Sequence, residues 1–77
     1  MNGLNEGGVL ESARKRSLMT QRDMCEVLNV SVPTMGRYES DPGCMSLGNW
    51  KKFYDAVGND GKEEMRSYIN SFFATQL

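Results

Sequence analysis

Among its 77 residues the chain has no histidine, two cysteines and two prolines. Each scarcity excludes something. Without His, no Ser-His or Cys-His nucleophile pair can be assembled. Two cysteines without His cannot complete a structural zinc site within one chain. No Gly-rich loop followed by Lys and Ser/Thr is present to cradle a phosphate; the eight glycines are scattered, and Gly7-Gly8 sits in a tail. The expectation is a protein that is not an enzyme and takes no metal or cofactor. No apolar run approaches the roughly 20 residues that span a bilayer. The polar start Met1-Asn2-Gly3-Leu4 reads as neither a secretory signal nor a myristoylation site. The expected compartment is the cytoplasm, where Cys25 and Cys44 stay reduced.

A surplus of positive charge is missing too. The net charge is −1 and the pI about 5.3. In residues 1–40, Arg14, Lys15, Arg16, Arg22 and Arg37 are balanced by Glu6, Glu11, Asp23, Glu26 and Glu39. Nucleic-acid binders usually carry a basic excess. Any affinity for phosphate must here come from local placement of cations rather than from a strong overall field.

What is present is an ordinary globular composition, 39% hydrophobic and 25% charged. A chain this short buries only about 60% of the surface its unfolded form exposes. One small domain of marginal stability follows, which a partner or second copy would strengthen.

The pattern is helical throughout, with no alternating segment to make a strand. Residues 1–8 read as a flexible arm. Residues 9–17 form a short amphipathic helix, with Leu10, Ala13 and Ser17 on one face, acid early and base late. Thr20 is a good N-cap for a second helix, whose apolar stripe is Met24, Cys25 and Leu28; Gln21, Arg22, Asp23 and Glu26 face water. Asn29 suits the left-handed turn that follows, with Val30 as a buried plug. Ser31 caps a third helix, with Val32 and Pro33 in its first turn, where a missing N–H costs nothing. Met35 and Tyr38 share a face, Glu39 closes the helix, and residues 40–43 form a turn. A fourth helix runs from Ser46 to about Val57 with the stripe Leu47, Trp50, Phe53, Tyr54 and Val57, and Gly58 stops it. A fifth starts near Asp60 and carries Met65, Tyr68, Ile69, Phe72 and Phe73 at helical spacing. Met24, Cys25, Leu28, Val30, Met35 and Leu47 are expected in the core, and Cys44 in an exposed loop.

Two capped helices joined by three or four residues have the layout of a helix-turn-helix. The stretch from Leu18 to Glu39, Leu-Met-Thr-Gln-Arg-Asp-Met-Cys-Glu-Val-Leu-Asn-Val-Ser-Val-Pro-Thr-Met-Gly-Arg-Tyr-Glu, resembles the Cro/C1-type repressor helix-turn-helix family of phages and bacteria. Thr20, Gln21, Leu28, Val30, Ser31, Thr34, Tyr38 and Glu39 match the family pattern. Met24 and Met35 stand in for Leu and Ile, and Cys25 for a small Ala. With its flanking helices the resemblance covers about residues 9–57. It implies an all-α, five-helix, lambda-repressor-like DNA-binding domain, with residues 58–77 closing the core, dimerising, or both. It also implies a structural ion pair between Arg14 and Glu39. Three positions depart from the pattern. Asn29 replaces Gly at the turn, Gly36 interrupts the third helix, and Val32-Pro33 stand where the family commonly has amides or charges.

The mechanism the resemblance implies places the third helix in the major groove. Thr34 would bond a base or phosphate, Val32 would pack on a thymine methyl, and Arg37 would make a bidentate contact to guanine. Pro33 and Gly36 share that surface. Gln21 would offer its amide to a phosphate at a helix N-terminus, with Lys15, Arg16, Arg22 and Ser40 as further backbone contacts. Tyr68, Phe72, Phe73 and Leu77 would form a homodimer surface, so that two third helices meet two operator half-sites. The first reading is a sequence-specific transcriptional regulator, a small phage Cro-like or repressor-like protein on a double-stranded operator. The alternative is a protein-binding modulator or antirepressor that keeps the fold, motivated by the acidic pI, the Val32-Pro33-Gly36 surface and the apolar last helix.

Overall fold

The structure, a computed structural model, describes residues 8–76. Five α-helices follow one another: α1 (Gly8–Arg16), α2 (Gln21–Leu28), α3 (Val32–Ser40), α4 (Leu47–Ala56) and α5 (Asn59–Gln76). A short 3-10 turn, Pro42–Cys44, separates α3 from α4. No strand occurs among the described residues, as expected. Gly8, assigned to the arm from sequence, instead opens α1; residues 1–7 lie outside the described residues.

The helix starts follow from local chemistry. The first N–H groups of a helix lack intrahelical acceptors, and a hydroxyl supplies one at three starts. Thr20 Oγ1 accepts from the Asp23 N–H at 3.0 Å, Ser31 Oγ from the Thr34 N–H at 3.3 Å, and Ser46 Oγ from the Asn49 N–H at 3.1 Å. The Asp23 carboxylate returns the bond by accepting from the Thr20 N–H at 2.9 Å, which completes a capping box on α2. The bond from the Thr20 backbone N–H, and then that with its hydroxyl, holds the Asp23 carboxyl below its ordinary pKa.

The first two helices end alike. Asn29 adopts φ 58 and ψ 50, the left-handed region, and the N–H groups of Asn29 and Val30 both donate to the Cys25 carbonyl. After α1, Leu18 takes the same role at φ 59. Its N–H donates to the Lys15 carbonyl and that of Met19 to the Arg14 carbonyl, the double closure of a Schellman motif. Leu18 thus holds a position that glycine usually fills, with its side chain exposed. The end of α4 differs from expectation. No glycine among the described residues has a positive φ. The chain leaves α4 through Val57, which is extended at φ −87 and ψ 161, and whose side chain is buried. Gly58 instead donates its N–H to Ser17 Oγ at 2.9 Å, and Ser17 donates in turn to the Ala13 carbonyl. One hydroxyl therefore ties the end of α1 to the α4–α5 junction.

The core consists of Leu10 and Ala13 from α1, Met24, Cys25 and Leu28 from α2, Met35 from α3, Phe53 from α4, Met65 from α5, and Met45 and Val57 from the connections. Val30 is half-buried against it. Leu47 is not part of it: it is 86% exposed. Met45, which follows the 3-10 turn, takes the buried place, and Leu47 at the start of α4 is left in solvent. At the crossing of α1 and α5 the two backbones touch. A Cβ on Gly61 would lie 2.9 Å from the Ala13 carbonyl oxygen and 3.0 Å from Val57 Cβ, so only glycine fits there without a shift.

The last helix differs along its length. Met65 is buried and Tyr68 and Ile69 half-buried, with the Tyr68 ring stacked on Trp50 at 6.1 Å. Beyond them Phe72 and Phe73 are 47% and 57% exposed. Leu77 lies outside the described residues. No helix among the described residues is long and apolar enough to cross a membrane.

Candidate nucleic-acid interface

α3 has two faces. Met35 and Glu39, four residues apart, point into the protein and are buried. Val32, Pro33, Arg37 and Ser40 are exposed on the opposite side, with Gly36 half-exposed among them. The spacing i, i+1, i+4, i+5, i+8 puts these five on one stripe. They are the positions assigned to base and backbone contact from sequence, and the fold collects them on one surface. Thr34 is half-buried beside them, and its Oγ1 accepts from the Ser31 hydroxyl at 3.0 Å. A Cβ on Gly36 would meet nothing within 4 Å. The glycine answers no internal demand for space.

The inner face is braced from three sides. The Arg14 guanidinium donates from Nε to Glu39 Oε2 at 2.7 Å and from Nη1 to the Met19 carbonyl at 3.0 Å. Both partners of this ion pair are buried. The second Glu39 oxygen accepts from Gln21 Nε2 at 3.1 Å. On the far side, Asn49 Nδ2 of α4 donates to the Tyr38 hydroxyl at 3.3 Å. One carboxylate therefore joins α1, α2 and α3 through charge-assisted bonds. Gln21 was read from sequence as a water-facing amide. It is half-buried and spends one N–H on Glu39, which leaves its second N–H and its carbonyl oxygen for a ligand.

The cations divide into two groups. Lys15 pairs with Glu11 at 2.8 Å within α1, and Arg16 with Glu64 of α5 at 3.3 Å. The hydrogen bond and charge of Lys15 hold the Glu11 carboxyl below its ordinary pKa. The phosphate contacts assigned to Lys15 and Arg16 thus compete with acidic partners, and Arg16 is directed toward α5 rather than toward α3. Lys51, Lys62 and Arg66 likewise have partners on or beside their own helices. Arg22 on α2, Arg37 on α3 and Lys52 on α4 form no ion pair among the described residues. Lys62 also lacks an acid but donates to the Val57 carbonyl; of the three with neither an acid nor a carbonyl among the described residues, two stand on the helices that were singled out from sequence. The sequence reading missed Lys52, which sits in a helix whose periodicity identified only its apolar stripe.

A second surface lies elsewhere. Leu47, Trp50, Tyr68, Phe72 and Phe73 line an open cavity of about 180 Å³ beside the 3-10 turn. Phe72 and Phe73 meet edge to face at 5.8 Å. Cys44 is exposed on that turn, and Cys25 is buried in the core. Among the described residues no group of three or more acidic or Cys side chains could hold a metal ion. No family model, curated protein or solved structure matches the chain.

Proposed function

We propose that the chain is a sequence-specific DNA-binding transcriptional regulator, a small Cro-like or repressor-like helix-turn-helix protein. In this reading it binds an operator as a homodimer, with α3 in the major groove of each half-site. The observation that carries the reading is the outward stripe of α3: Val32, Pro33, Gly36, Arg37 and Ser40 on one face of a helix braced by α1, α2 and α4. A helix that reads base edges must be rigid on one side and unencumbered on the other. Arg37, with no acidic partner, is the side chain able to make a bidentate bond to guanine. In this reading Arg22 and Gln21, at the start of α2, contact phosphates. Selection from a randomised duplex pool by the purified protein tests this. A palindromic enriched site, bound less tightly as salt rises, is the expected outcome. No enrichment at low salt would refute it.

A second reading has its own support. The exposed Leu47, Phe72 and Phe73 and the absence of a basic excess fit a modulator that docks on another protein. It predicts capture of a protein partner that Phe72→Ser and Phe73→Ser abolish, together with no affinity for DNA. Tight operator binding by the isolated chain would exclude it.

A further inference from the structure

The helices α4 and α5 leave space between them. Next to the cavity lined by Leu47, Phe72 and Phe73 is a second one of about 140 Å³, bounded by Trp50 and Tyr54 of α4 and by Met65, Arg66, Ile69 and Asn70 of α5. Trp50 and Ile69 line both. Met65 is buried, Trp50, Tyr54 and Ile69 are half-buried, and Arg66 and Asn70 are exposed. An apolar interior thus opens past two polar side chains at its rim, the layout of a small-molecule site. The larger cavity has no charged side chain in its lining and nothing to orient a guest. The walls of the smaller one are held in advance. Trp50 Nε1 donates to the Pro42 carbonyl at 3.2 Å and the indole stacks on Tyr68. The Tyr54 hydroxyl accepts from Arg66 Nη1.

Size and charge define the guest. A dry apolar cavity of about 150 Å³ holds benzene, so this one holds a single ring. Lys62 Nζ and the Arg66 guanidinium lie 5.4 and 6.0 Å from the centre of the Tyr54 ring. Glu63 pairs with Arg66 at 2.9 Å, whereas Glu64 is turned to Ser12 and Arg16 of α1. Two cations against one acid leave a positive surplus at the rim. Arg66 spends Nη1 on Tyr54 and Nη2 on Glu63. A guanidinium has five N–H donors, so donors remain in the planar geometry that suits a carboxylate.

We propose that the cleft between α4 and α5 binds a small aromatic carboxylate. The ring lies against Trp50, Met65 and Ile69, and the carboxylate bonds to Arg66 with the Asn70 amide beside it. Such a guest touches both helices and fixes the angle of α5, whose tip carries Phe72 and Phe73. The site stands whether or not α3 binds DNA.

The chain's single tryptophan is in the wall of the cleft, so its fluorescence reports occupancy. The full chain is titrated with phenylacetate, and separately with phenethylamine, which carries a similar ring and an ammonium group in place of the carboxylate. Phenylacetate should change the Trp50 emission saturably, with a Kd of about 0.1–1 mM for a ligand of this size. At about ten times Kd it should raise the thermal midpoint by on the order of 5 °C. Phenethylamine should do neither. Arg66→Gln should weaken phenylacetate binding by about ten-fold, and Asn70→Phe, which fills the mouth, should abolish it. Both residues are exposed, so circular dichroism should stay at wild type. Neither signal from phenylacetate up to about 10 mM, roughly ten times the weakest expected Kd, would overturn the site. Equal binding of phenethylamine would overturn the anionic class of ligand. Binding that survives both variants and is lost in Leu47→Ser would put the guest in the neighbouring cavity and overturn the assignment.

Discussion

Arg14 and Glu39 hold two opposite charges inside a very small core. Such a pair contributes little net stability, because desolvation offsets most of the attraction. Removing one partner is costly. Glu39→Ala should destabilise the fold by about 3–5 kcal/mol, since it strands the Arg14 guanidinium; urea denaturation would measure this. Arg14→Met combined with Glu39→Leu should recover most of the loss, and failure to recover would mean that the pair is indispensable to the packing. Two glycines make a sharper contrast. Gly36→Ala should raise stability by up to about 1 kcal/mol, because the helix gains propensity and the new methyl meets nothing. Gly61→Ala should lower it by about 1–3 kcal/mol, because the methyl is driven onto the Ala13 carbonyl. Thermal midpoints of the two variants on either side of wild type would establish both assignments. From sequence the two glycines look alike, each a break in helical propensity. What separates them is a neighbouring backbone that belongs to a helix nearly fifty residues away.

The helices themselves are mostly written into local sequence. Thr20, Ser31, Ser46 and Asn29 act within three or four residues of themselves, so their roles are legible without knowing the fold. Leu47, Gly58 and Gln21 were misread for the converse reason. Leu47 depends on Met45 taking the buried place, Gly58 on Ser17 of a distant helix, and Gln21 on the carboxylate of Glu39. The stripe on α3 was legible as a set of positions, whereas the pairing of Lys15 and Arg16 with acids was not. At this scale the capping box gives a pH prediction. Asp23 and Glu11 both have carboxyl groups held below their ordinary pKa. Their contributions are present above the unfolded-state pKa and are lost as pH falls through the folded one. Stability should therefore hold from neutrality down to about pH 5 and decline below about pH 4. Asp23→Asn should lose stability at neutral pH and show a shallower acid decline. An unchanged acid limb would remove the capping box from the explanation.

For the molecule as a whole, the apolar end of α5 matters most. A domain of this size has little reserve, and Phe72, Phe73 and Leu47 leave apolar surface in water. In the proposed dimer, covering that surface links folding to association, so the thermal midpoint should rise with protein concentration. Phe72→Ser with Phe73→Ser should give a monomer by sedimentation, with a midpoint independent of concentration and operator affinity lowered by at least ten-fold. A wild-type chain that sediments as a monomer at every concentration would reserve the surface for a different partner. The contact between Gly61 and Ala13 then has a mechanical meaning. It is a fulcrum at the root of α5, and the aromatic pair sits about twelve residues away, or roughly 18 Å along the helix axis. Tilting α5 by ten degrees at the root would sweep the tip through about 3 Å, close to one base-pair step. In the proposed dimer, joined at those tips, the gauge between the two copies of α3 would be set by the absence of one methyl group.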